Sequence, residues 1–254
     1  MDTARVRFLG TGDPFASGER LQTCILLESD NGRTLIDCGM TAMVSLARFG
    51  IDPGTVDTIL VTHLHGDHFG GLAPFILEAQ FNAREGGNFP ARTRALCIAG
   101  PADTEDRVRR VLDLFGWRGH VAAMKDAGLL DFTTLEPRRE TALGQLTVTA
   151  FPVVHTLEAT ALRVVCAGKI VAYSGDAEWT DVLLDVAADA DLFICQAYAF
   201  DRPQQGLLNY RTLMEHRGDL TCRRLILTHI GPEMQSRLAA AAEAVAEDGT
   251  TIVL

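Results

Sequence analysis

No run of apolar residues in this 254-residue chain approaches the ~18 that a membrane-spanning helix needs; its apolar stretches, such as Leu225 to Leu227 and Ile252 to Leu254, have the length of buried strands. The amino terminus passes through Arg5-Val6-Arg7-Phe8-Leu9 straight into an alternating strand. It lacks the charged, then apolar, then small-residue order of an export signal, so a cytoplasmic location without membrane contact is expected. There is no C-x-x-C pair either. Cys24, Cys38, Cys97, Cys166, Cys195 and Cys222 are scattered, mostly within apolar strand-like runs, and are expected to be small buried hydrophobes in a reducing compartment. Positive charge is in short supply: 23 Lys and Arg against 33 Asp and Glu leave a net charge of −10. Such a surface repels polyanions, which disfavours long nucleic acid as a partner unless a local basic patch overrides the balance. Residues 80 to 120 run against the trend, and Arg84, Arg92 and Arg94 there are candidates for a cationic rim. Repeats, low-complexity tracts and linker-like stretches are missing too, so one domain over residues 1–254 is expected.

What is present is an ordinary globular composition, 47% hydrophobic and 22% charged. Alternation and β-branched content predict strands at 4–9, 22–28 and 33–37, the last two joined by an Asn31-Gly32 hairpin signal. A helix is predicted over 41–49, stopped by Gly50 and Asp52-Pro53-Gly54. Strands at 57–61 and 94–99 then alternate with helices near 70–81 and 102–115. The second half repeats the style, with strands at 145–151, 160–166, 169–173, 191–195, 223–228 and 250–254 and helices near 178–187, 208–217 and 234–247. Two β-rich blocks, each followed by helices, imply an α+β fold in which two sheets pack face to face with helices outside, a four-layer αββα sandwich.

The segment that carries chemistry is Thr62-His63-Leu64-His65-Gly66-Asp67-His68-Phe69-Gly70-Gly71, where the apolar run Val56 to Val61 ends. Three histidines and an aspartate fall within six residues. On extended backbone His63 and His65 project to one side, and a turn at Gly66 brings Asp67 and His68 round to face them. Imidazole and carboxylate suit zinc and related divalent ions, and one loop of this kind feeds two adjacent metal ions. Three further polar residues each end an apolar run: His155 after Phe151-Pro152-Val153-Val154, Asp176 after Ile170 to Gly175, and His229 after Leu225-Ile226-Leu227-Thr228. Buried strands deliver side chains to one edge of a sandwich in this way.

The His-x-His-x-Asp-His segment at a strand end resembles the signature of the metallo-β-lactamase fold superfamily. That resemblance implies that His63, His65 and His155 bind one metal, that Asp67, His68 and His229 bind a second, and that Asp176 bridges them. It also implies that Asp37, in Leu35-Ile36-Asp37-Cys38-Gly39, orients a ligand histidine. Zinc is the expected metal, with manganese or iron as alternatives. The third motif reads Val154-His155-Thr156-Leu157-Glu158, without the flanking glycines of glyoxalase II-type thioesterases and many lactonases. Together with Phe8-Leu9-Gly10-Thr11-Gly12-Asp13-Pro14 and Tyr173-Ser174-Gly175-Asp176, this makes the chain most similar to the ribonuclease Z and PhnP-like phosphodiesterase branch, whose members are often homodimers.

A metal pair of this kind acidifies a shared water toward pKa ~7. The resemblance therefore implies a binuclear hydrolase in which a metal-bridging hydroxide attacks a small phosphodiester such as a cyclic nucleotide and Asp67 takes up its proton. A carboxylic ester, lactone or thioester hydrolase with the same site is the alternative, and a non-catalytic metal-binding scaffold is the alternative of another class. Two departures stand out. Many members of the branch carry a histidine about twenty residues before the last ligand to assist the leaving group, whereas this chain reads Leu207-Leu208-Asn209-Tyr210; Asn209 and Tyr210 are therefore candidate substrate-binding donors. No insertion matches the long basic arm with which ribonuclease Z grips transfer RNA. His120 and His216 fit no part of the pattern and are expected to be structural or solvated, and the loop from Gly12 to Arg20 is a candidate cover for the cavity.

Overall fold

The computed structural model describes residues 3–30, 32–81 and 92–254; Asn31 of the expected hairpin and Arg84 of the expected rim lie outside the described residues. The chain forms β1 (Arg5–Gly10), β2 (Cys24–Ser29), β3 (Gly32–Ile36), β4 (Thr58–Leu60), β5 (Leu96–Gly100) and β6 (Leu130–Thr134) in a first sheet. A second sheet takes β7 (Glu140–Leu143), β8 (Leu146–Val153), β9 (Ala159–Cys166), β10 (Lys169–Tyr173), β11 (Leu192–Gln196), β12 (Leu225–Thr228) and β13 (Ala244–Val245), and β14 (Thr251–Val253) returns to the first sheet beside β1. The spatial orders are β14-β1-β2-β3-β4-β5-β6 and β13-β12-β11-β10-β9-β8-β7. In the first sheet β14 to β3 are antiparallel and β3 to β6 parallel. In the second, β7 to β10 are antiparallel and β10 to β13 parallel. The parallel halves matter most for the site, because their strands all end at one edge, and the loops leaving those carboxyl ends meet there.

Side-chain alternation builds the layers. Ile36 of β3 and Leu192 and Ile194 of β11 face the interior between the sheets, alongside Phe8, Val148, Val164 and Tyr173. Leu35 turns the other way, under α1 (Ala42–Arg48), α3 (Leu72–Phe81), α4 (Thr104–Leu114) and α5 (His120–Asp126), which cover the first sheet. Phe193 and Cys195 turn outward beneath α6 (Val182–Ala187), α7 (Tyr210–Glu215) and α8 (Pro232–Ser236). The fold is the four-layer αββα sandwich, because both faces of both sheets are apolar and each must be covered. All six cysteines are free, and five are buried. No helix among the described residues is long and apolar enough to cross a membrane.

The expected helix near 234–247 does not form. Gly231-Pro232 starts only the five-residue α8, a 3₁₀ turn follows at Leu238–Ala240, and Ala244–Val245 extend as β13. The alanine-rich sequence favours helix, but Ile226 and Leu227 pair with Ala244 and Val245, and Arg20 Nη1 reaches the Ala246 carbonyl at 2.6 Å. Asp248 Oδ1 also takes hydrogen bonds from Thr11 N and Oγ1, at 3.0 and 2.8 Å. A buried edge and a buried guanidinium, both needing backbone partners, outweigh a propensity difference of a few tenths of a kcal/mol per residue.

Candidate metal centre

The His63–Gly71 segment leaves β4, pairs briefly with the second sheet through His63 and Ala159, and turns into α2 (Gly66–Phe69). Close glycine packing holds the turn: a Cβ on Gly71 would collide with the Gly39 carbonyl, and one on Gly39 with the Asp67 carbonyl. Only glycine lets the 37–41 and 66–71 loops approach so nearly. This contact brings Asp37, at the end of β3, under the histidine cluster.

The structure brings all seven expected ligand residues together in two adjoining groups. His63, His65 and His155 present ligand-type atoms within 4.8 Å of one another, and so do Asp67, His68, Asp176 and His229. His155 follows β8, Asp176 follows β10 and His229 follows β12, at the edge where β4 releases the cluster. Asp37 accepts from Thr62 N at 2.8 Å and from His68 Nδ1 at 2.6 Å, which turns His68 Nε2 toward Asp67 and Asp176, each 3.4 Å away. The Gly206 carbonyl accepts from His155 Nδ1 at 2.6 Å, which leaves its Nε2 facing His65 Nδ1 at 3.0 Å. Asp37 and His229 both have left-handed backbone, φ 59° and 55°, a strain that concentrates at functional sites.

The electrostatics divide along the same line. Burial, with His68 next to it, lowers the His63 pKa; burial and His155 lower that of His65. Burial would also lower His68, but Asp176 and Asp37 overcome it and raise the pKa well above the usual histidine value. In His229 Asp176 and Asp67 likewise outweigh burial. Asp67 and Asp176 are held far below the usual carboxylate range, against a desolvation penalty, by His229 and His68. Within this cluster His63 Nε2, His68 Nε2 and Asp176 Oδ1 are buried without a hydrogen-bond partner. Buried polar atoms are nearly always satisfied, and three unsatisfied ligand-type atoms, one in the first group and two in the second, fit bound cations rather than a packed core.

A cavity of about 160 Å³ opens over the cluster, lined by candidate ligand residues together with Pro14, Phe15, Thr156, Tyr198, Gln205 and Leu207. Pro14 and Phe15 come from the loop flagged as a cover, and Asp13 Oδ1 fixes that loop by accepting from Phe15 N and Ser17 N. Asn209 and Tyr210 do not line this cavity. Asn209 is the N-cap of α7, its Oδ1 accepting from Thr212 N at 2.9 Å, and the Tyr210 hydroxyl accepts from Ala242 N at 2.7 Å. The proposed cationic rim is likewise displaced. Arg92 is buried and donates to the Val56 and Pro53 carbonyls, while Arg94 pairs with Asp57, so both lie toward the start of β4, away from the cluster at its end. His120 is buried in α5, and His216 stacks on Trp179.

Sequence reading missed two residues here. Gln196 closes the fully buried β11, accepts from Ala177 N and Leu208 N, and places Nε2 3.4 Å from His229 Nδ1; an amide ending an apolar strand was its signal. Tyr198, two residues on, gave no such signal. Burial, with Asp13 and Asp176 nearby, raises the pKa of its phenol.

Comparison with known proteins places these features in context. A family model described as anti-Pycsar protein Apyc1 matches residues 4–246. The anti-Pycsar protein Apyc1 of Saccharibacillus brassicae is 41% identical over 76 residues, 30% of this chain and 31% of that protein. A ribonuclease Z of Methanococcus maripaludis is 28% identical over 157 residues, 62% of this chain and 47% of that one. The matched stretches thus span only a third to a half of these relatives. The crystal structure of YhfI from Bacillus subtilis, a metallo-β-lactamase fold protein, superposes with a TM-score of 0.77 at 19% identity and covers 100% of both chains.

Proposed function

This chain belongs to the anti-Pycsar protein Apyc1 family, and from that premise we propose that it is a binuclear metal-dependent hydrolase of small phosphodiesters, with a cyclic nucleotide as the substrate type. The observation that carries the reading is the cluster of seven ligand-type side chains, three of their buried atoms unsatisfied, beneath one cavity. His63, His65 and His155 would hold one ion and Asp67, His68 and His229 the other, with Asp176 between them. Divalent ions there, zinc by donor chemistry with manganese or iron as alternatives, supply Lewis acidity and a water acidified toward pKa ~7.

The remaining work falls to the chain. Asp37 and the Gly206 carbonyl hold the Nδ1 protons of His68 and His155 and so keep each Nε2 free. The ionised Asp67 carboxylate is the acceptor for the proton of the attacking water. Pro14, Phe15 and Leu207 supply the apolar part of the cavity wall. A relative named ribonuclease Z supports a phosphorus ester over a carboxylic one. The limited cavity, the net charge of −10 and the occupied Arg92 and Arg94 side chains favour a small diester over a polyanion.

Metal analysis of the purified protein should return close to two ions per chain, and Asp176→Ala should lower that number and abolish turnover. A panel of cyclic nucleotides, bis(p-nitrophenyl) phosphate, p-nitrophenyl acetate, lactones and a transfer RNA precursor then separates the readings. Turnover of the carboxylic esters but not the diesters would overturn the proposal, and no turnover at all would favour a metal-binding scaffold.

A further inference from the structure

Alkoxide expulsion needs a proton at the leaving oxygen, and the segment in which related enzymes carry a histidine for that purpose is Leu207 to Tyr210 here. Leu207 faces the cavity without a donor, and Asn209 and Tyr210, whose side-chain oxygens accept from Thr212 N and Ala242 N, do not line it. Among the described cavity residues outside the proposed ligand set, only Thr156, Gln205 and Tyr198 offer side-chain N–H or O–H groups. The phenol is much the strongest acid of the three.

Its position is built rather than incidental. Tyr198 follows β11 by two residues, its N donates to the Leu208 carbonyl at 3.0 Å, and its own carbonyl accepts from Gly231 N at 3.0 Å. The ring lies against Gly231, where a Cβ would come within 2.8 and 2.9 Å of two ring carbons, and 6.0 Å from the His229 ring, centroid to centroid. Any larger residue at 231 would collide with both the Tyr198 carbonyl and its ring.

We propose that Tyr198 is the donor to the leaving oxygen, an assignment that rests on the phosphodiesterase reading above. As the oxygen of water bonds to phosphorus, one of its protons passes to Asp67. The bond from phosphorus to the ester oxygen breaks, and its electron pair stays on that oxygen. The Tyr198 hydroxyl proton moves there, releasing an alcohol, and solvent then reprotonates the phenolate and takes the proton from Asp67.

The test is Tyr198→Phe assayed on two diesters, a cyclic nucleotide whose leaving group is a ribose hydroxyl and bis(p-nitrophenyl) phosphate whose leaving group needs no proton. The expected result is a loss in kcat of about 100-fold or more on the cyclic nucleotide, turnover of the nitrophenyl diester within about threefold of the parent, and unchanged metal content and melting temperature. Equal losses on both substrates, or no loss on the cyclic nucleotide, would overturn the assignment of Tyr198 while leaving the hydrolase reading intact. Failure of the unmodified protein to cleave either diester would overturn both.

Discussion

Asp37→Asn isolates the link between the first sheet and the candidate metal ligands. The substitution keeps the shape but replaces one carboxylate oxygen with an NH₂ group. In the structure Asp37 Oδ1 accepts from Thr62 N at 2.8 Å, Oδ2 accepts from His68 Nδ1 at 2.6 Å, and Thr62 Oγ1 lies 3.0 and 2.9 Å from the two oxygens. An amide can serve only one of these sides as acceptor. If its oxygen stays on Thr62 N, its NH₂ faces His68 Nδ1, which must then give up its proton; the ring carries it on Nε2, the atom turned to Asp67 and Asp176, and loses that lone pair for a cation. If the amide flips, a buried backbone N–H goes without a partner. Either route forfeits one charge-assisted hydrogen bond of about 1.5–3 kcal/mol, and the flipped amide also strands the buried Thr62 N–H at about 1–3 kcal/mol. We expect a net destabilisation of about 2–4 kcal/mol and a 10- to 100-fold loss in affinity for the ion that His68 would hold. Chelator competition and denaturant melts of the metal-loaded protein measure the two effects. Metal affinity within twofold of the parent, with stability changed by less than about 0.5 kcal/mol, would refute the reasoning.

Gly71→Ala forces a Cβ onto the Gly39 carbonyl, so it should cost about 1–3 kcal/mol of stability and lower metal content by displacing Asp37; a melt and a metal assay matching the parent would dismiss this role. In metal-stripped protein, the raised His68 and His229 contribute stability that is fully present below the unfolded histidine value of ~6.5 and is lost as pH rises through their folded values. Stripped protein should therefore unfold at lower denaturant at pH 9 than at pH 6, and a flat profile would contradict the pairing. The depressed Asp67 and Asp176 act oppositely, their contribution disappearing as pH falls below the ordinary carboxylate range. Asn209→Ala should cost about 1 kcal/mol, the worth of an N-cap, without altering kcat; a fall in kcat at unchanged stability would restore it as a substrate contact.

Much of the architecture was legible because its signals are local. The strands at 160–166, 169–173 and 191–195 lie within a residue of β9, β10 and β11, since alternation and length specify a half-buried or fully buried strand without reference to partners. Legibility ended where a tertiary partner outbid the local preference. The alanine-rich 237–246 stretch reads as helix, and only Arg20, Asp248 and the free edge of β12 make it extended. The edge strands β6 and β7 and the short α5 were missed for the same reason, each being polar or brief and held by its neighbours.

The candidate site divides in the same way. A six-residue run supplies His63, His65, Asp67 and His68, so their proximity follows from covalent connection and a turn at Gly66, and metal chemistry could be read from the chain alone. His155, Asp176 and His229 stand 87, 108 and 161 residues beyond His68, separations no local pattern can bridge; what joins them is that β4, β8, β10 and β12 end at one edge of two packed sheets. Whether a polar side chain faces that edge depends on the hydrogen bonds it makes elsewhere. Asn209 and Tyr210 are taken up by a helix cap and a distant backbone amide, and Arg92 by carbonyls beneath α3, while Tyr198 is left with its ring on Gly231 beside His229. Residue chemistry and short-range spacing are properties of the chain, but the direction of each buried polar group is settled by competition for partners, and that competition exists only in the folded molecule.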